Sequence, residues 1–93
     1  MEEKFIAAWA KARQQAMALG VRMRPVSDAD AMKTAQRCLS SHRESDGFFA
    51  LADKGKLALS LEALAVQKEF TGLFTDEQAN EALNRLLSAG YYL

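Results

Sequence analysis

Gly20, Pro25, Gly47, Gly55, Gly72 and Gly90 punctuate this chain. A glycine inside a helix costs about 1 kcal/mol relative to alanine and a proline about 3. Regular structure therefore has to fit between these positions, and the long intervals left between them set the number and size of the helices. In the first interval, Phe5, Ala8, Trp9, Ala12, Ala16 and Leu19 fall on one side at ~100° per residue, flanked by Ile6 and Met17, with Lys4, Lys11 and Gln15 opposite. A helix from about Glu3 to Leu19 is predicted, stopped by Gly20. Val21 to Val26 alternates apolar and basic residues around a proline that cannot donate to a ladder, so an extended connector is expected there.

Ser27, followed by Asp28 and Asp30, has the chemistry of an N-cap and an acidic first turn. The helix it opens aligns Ala31, Ala35, Cys38 and His42, with Met32 and Leu39 beside them and Lys33, Gln36, Arg37 and Ser40 facing water. Glu44 to Gly47 is a turn. Phe48 to Ala52 is too short for periodicity to separate a helix from a buried strand, and a helix capped by Ser45 or Asp46 is preferred. Lys56 to Ser60 suits a short extended segment. Ser60 then caps a third long helix, Leu61 to Phe70, whose apolar residues spread around the wheel as on a helix contacted from two sides. Thr75 with Gln78 forms a capping box ahead of the stripe Ala79, Ala82, Leu83, Leu86, Leu87. Glu81 and Arg85 on this last helix are spaced for an i,i+4 ion pair. The expected fold is mainly α, a single small domain of four to five helices with a short β-hairpin or extended segments near 56–59 and 91–93.

The stretch from Gly55 to Leu93 resembles a winged-helix or helix-turn-helix module. Lys56 to Leu59 would be its first strand, and Leu83-Asn84-Arg85-Leu86-Leu87-Ser88-Ala89-Gly90-Tyr91-Tyr92 looks like the end of a recognition helix entering a wing. That resemblance implies a DNA-binding regulator. The charge on the same residues points elsewhere. Asp76, Glu77 and Glu81 stand at the start of the helix that would approach phosphates, with only Arg85 to offset them. The connection from Phe70 to Thr75 is also longer than a tight helix-turn-helix turn.

Twelve basic and twelve acidic residues cancel overall, which excludes a uniformly basic nucleic-acid binder. Resolved along the chain, residues 1–43 hold eight basic and four acidic side chains, and residues 44–93 hold the reverse. Arg22, Arg24, Lys33 and Arg37 are the candidate contacts to an anionic partner or DNA. Tyr91 and Tyr92, on an extended tail, are the candidate protein interface, suited to self-association. One cysteine allows no internal disulfide, the opening Met1-Glu2-Glu3 is not a basic signal-peptide start, and apolar runs stop near six residues. A cytoplasmic chain without membrane contact is expected. Cys38 and His42 are the one pair resembling a nucleophile and a base, yet no motif surrounds them, and packing or capping is the commoner role of such residues. No catalytic, metal or cofactor site is assigned. The function expected is a non-enzymatic protein–protein interaction or accessory module, acting on another protein or as a homodimer. A DNA-binding regulator is the alternative.

Overall fold

The computed structural model describes residues 2–23, 26–41, 43–45 and 47–91, apart from the side chain of Thr71. Five α-helices follow in order: α1 (Glu2–Ala18), α2 (Ala31–Ser40), α3 (Phe48–Asp53), α4 (Leu61–Ala65) and α5 (Asp76–Ser88). Turns of 3₁₀ helix at Leu57–Leu59 and Thr71–Leu73 lead into α4 and α5, and there is no strand among the described residues. The radius of gyration is 11.9 Å, the ~12 Å expected when a chain of this length packs as one unit. The mainly α fold follows from the punctuation and the apolar periods together.

α1 buries Phe5, Trp9, Ala12 and Ala16 of the predicted stripe, whereas Ala8 is half-buried and Leu19, at its end, is exposed. It ends where expected: Gly20 has φ +89°, the Gly20 N–H donates to Met17 O, and the Val21 N–H reaches back to Ala16 O. This pairing closes the last turn. α5 carries the predicted capping box in full. The Gln78 N–H donates to Thr75 Oγ1 at 3.1 Å, and the Thr75 N–H donates to Gln78 Oε1 at 2.9 Å. Ser60 caps α4 by accepting from the Ala63 N–H at 3.1 Å, and all five residues of α4 are buried, as befits a helix packed on two sides.

Four local expectations are corrected. Helix α2 begins at Ala31, not Ser27, because the Ser27 hydroxyl donates to the Asp30 carboxylate at 3.0 Å and accepts no N–H as an N-cap would; residues 28–30 form a separate turn. The third long helix is shorter than the interval allows. It stops at Ala65, and tighter turns follow so that Phe70 can swing back onto Phe5, ring edge to ring face at 5.4 Å. The extended segment expected at 56–59 is a 3₁₀ turn that buries Leu57. Phe48–Asp53 is helical, as preferred, but without a side-chain cap; the Ser45 hydroxyl is engaged elsewhere.

The core has two centres. The larger gathers the aromatic rings Phe5, Trp9, Phe70 and Phe74 with α2 and α4. The smaller joins Ala16 and Val21, at the end of α1, to Phe48, Leu51, Leu57, Ala63 and Leu86. Gly47, at the start of α3, is where the second centre closes. Its φ is +76°, and a Cβ there would sit 2.7 Å from Val21 Cγ1, closer than real Cβ contacts come, and 3.1 Å from Met23 Cε, a tight contact. The connector after α1 is therefore pressed directly against the backbone that opens α3.

Candidate functional site

The predicted site residues do not converge on one place. Arg22 is exposed on the connector, and Lys33 and Arg37 are exposed on α2; Arg24 lies outside the described residues. Of the three described, Arg37 borders a cleft between α1 and α2, together with Arg13 and Arg43, which the sequence pattern does not single out. Tyr91 is half-buried against the smaller core centre, and its N–H donates to Leu86 O at 2.9 Å. It leaves α5 folded back on the core. Tyr92 lies outside the described residues. Cys38 is half-buried on α2, and its carbonyl accepts from the Ser41 hydroxyl at 2.7 Å and from Arg85 at 3.3 Å. His42, the other member of that pair, lies outside the described residues.

The densest polar cluster involves a residue absent from the predicted set. Glu62 on α4 and Arg85 on α5 are both buried and meet at 3.1 Å through Glu62 Oε2 and Arg85 Nη1. The same Oε2 accepts the Ser45 N–H at 2.9 Å, and Oε1 accepts the Ser45 hydroxyl. Arg85 Nη2 donates to the carbonyls of Ser41 at 2.7 Å and Cys38 at 3.3 Å, and Nε donates to Glu81 at 3.2 Å. One guanidinium thus closes the C-terminal carbonyls of α2, while one carboxylate fixes the loop that follows. Burial disfavours the charged guanidinium, but the hydrogen bond and charge of Glu62, with Glu81 behind them, outweigh it and raise the Arg85 pKa above its ordinary value. All three guanidinium nitrogens and both carboxylate oxygens of this pair are engaged. The i,i+4 pairing of Glu81 and Arg85 was legible in the sequence; a lone Glu inside the apolar run Leu61-Glu62-Ala63-Leu64-Ala65 was the signal for the rest.

A second set of residues is defined by exposure. Phe49 is 64% exposed, Met17 53%, Leu87 42% and Leu19 40%. Each is next or nearly next in sequence to a residue of the smaller core centre: Phe48, Ala16, Leu86 and Val21 respectively. The elements that close that centre therefore also carry large apolar groups on their outer sides. Leu19 and Leu87 belong to predicted apolar stripes, but the stripes run past the end of the core. Phe49 keeps an edge-to-face contact with Phe48 at 5.5 Å and turns most of its ring to solvent.

No protein-family model matches this sequence, and no curated protein or solved structure is detectably similar to it. Function therefore rests on the geometry of the molecule alone. No helix among the described residues is long and apolar enough to cross a membrane.

Proposed function

We propose that this protein is a non-enzymatic protein–protein interaction module that docks through the end of the molecule where α1, α3 and α5 close the smaller core centre. The observation that carries this reading is the exposure of Phe49, Met17, Leu19 and Leu87 on those elements. A scattered surface leucine needs no explanation, whereas large apolar side chains gathered on the elements around one core centre are what a partner would cover. Aromatic residues and methionine, here Phe49 and Met17, are enriched at the cores of protein interfaces. The occupant this surface fits is an apolar protein surface, and a second copy of this chain is the first to test.

The DNA-binding alternative draws less support. Asp76 and Glu77 are exposed at the start of α5, and Arg85, the sole basic side chain of that helix, is turned inward onto Glu62. Sedimentation velocity over a wide concentration range tests the preferred reading. Association of the native chain, weakened in Phe49→Ser, is expected. A native chain that stays monomeric throughout and binds duplex DNA at low salt would replace this reading with the alternative.

A further inference from the structure

Arg13 lies in the middle of α1 and is 9% exposed. Its Nη1 donates to Val26 O at 3.3 Å, and its Cζ lies 4.8 Å from the centre of the Trp9 ring. Its Nε is buried and has no hydrogen-bond partner among the described residues. Burial lowers the pKa of this guanidinium, and the charge of Asp28 only partly opposes that. Buried polar groups are almost always satisfied, so an orphaned donor on a buried cation calls for an explanation.

An open cleft lies beside the same side chain. Arg13 and Trp9 form one wall of a cleft of about 510 Å³; Thr34, Arg37 and Cys38 on α2 form the facing wall. That volume lies within the few hundred to ~1,000 Å³ typical of small-ligand sites. Among the described lining residues, three arginines (Arg13, Arg37 and Arg43) stand against two acids, Asp30 and Glu44, an excess of one positive charge, with Asp28 acting on Arg13 from outside the lining. Met23, Val26 and Leu61 add apolar surface to that of Trp9. One unit of positive charge suits a monoanion better than a phosphate dianion, which the two acids would repel. A planar guanidinium suits a carboxylate.

We propose that the cleft between α1 and α2 binds a small organic monocarboxylate with an apolar body, its carboxylate held by Arg13 with Arg37 and its apolar part lying against Trp9 and Leu61. Octanoate has this chemistry; 1-octanol keeps the body without the charge, and inorganic phosphate keeps negative charge without the body.

Trp9 is the single tryptophan of the chain, so its emission reports directly on this cleft. Titration at constant ionic strength is expected to give a saturable change with octanoate, at least about tenfold weaker binding of octanol, and no saturable change with phosphate, since a charge-assisted hydrogen bond contributes on the order of tenfold or more in affinity. Arg37→Gln alters an exposed residue and leaves the fold in place. It is expected to weaken octanoate about tenfold and octanol hardly at all. Arg13→Met is expected to abolish the preference for octanoate over octanol. Should Arg13→Met fail to fold, as judged by its thermal transition, Arg37→Gln and the octanol comparison decide the matter. No saturable response to octanoate, equal binding of octanol, phosphate binding as tightly as octanoate, or an unchanged preference in the folded variants would each overturn the proposal.

Discussion

Arg13 and Arg85 are both buried arginines, and they are held in opposite ways. Arg85 is met by Glu62, Glu81 and two helix-terminal carbonyls, and its charge is stabilised in place. Arg13 has one carbonyl, an aromatic face and the charge of Asp28, and burial weakens its hold on the proton. Taking a cation out of water costs several kcal/mol, and only a complete set of partners offsets that. Around Arg85 the set is complete and the result is a clamp. Around Arg13 it is incomplete: Nε has no partner among the described residues, and the side chain borders an open cleft. The same side chain thus serves architecture in one region and remains available for recognition in the other.

That contrast predicts unequal costs. Arg85→Leu leaves the buried Glu62 carboxylate without its cation and is expected to cost about 3–5 kcal/mol in denaturant unfolding. Adding Glu62→Leu to the same chain should recover much of that loss, with a coupling of more than about 1 kcal/mol between the two sites. A cost for Arg85→Leu below about 1 kcal/mol would show that the clamp is ornamental. Thr75→Ala removes the cap at the other end of α5 and is expected to cost about 1 kcal/mol. This separates loosening the helix from losing the ion pair. Arg13→Met, which leaves no buried countercharge behind, is expected to change stability by less than about 1 kcal/mol in either direction. A cost near that of Arg85→Leu would erase the distinction between the two arginines. Phe49→Ser is expected to alter the unfolding free energy by no more than about 0.5 kcal/mol, the range of surface substitutions, while weakening association in sedimentation.

What the sequence made legible were features whose physics is local. The buried part of the α1 stripe, the Thr75–Gln78 box, the Ser60 cap and the stop at Gly20 each depend on neighbours within a few residues, and each appears as expected. The start of α2 was missed because Ser27 has two local partners to choose from, and the Asp30 side chain takes its hydroxyl. Glu62 and Arg85 stand 23 positions apart, and no periodicity reports on a partner at that distance. Arg13 sits at the edge of the apolar stripe of α1, where the pattern does not separate a solvated arginine from one folded over Trp9. Phe49 follows Phe48 directly; the pattern says that the pair is apolar but not which ring faces the core.

The long reach of Arg85 also orders events during synthesis. The carbonyls it closes belong to Cys38 and Ser41, 47 and 44 positions earlier. Gln78 likewise ties α5 back to α2 through Gln36 O at 3.2 Å and Ser40 Oγ at 2.8 Å. A nascent chain that has reached only Phe74 holds α1 to α4 and the Ser41 contacts that close α2, but not the Gln78 and Arg85 side chains that tie α5 to the end of α2. Its apolar side, with Ala35 and Leu39, then lacks the neighbour that covers it in the native fold. Arrival of α5 is what covers that side, since α2 packs on α5 in the native fold.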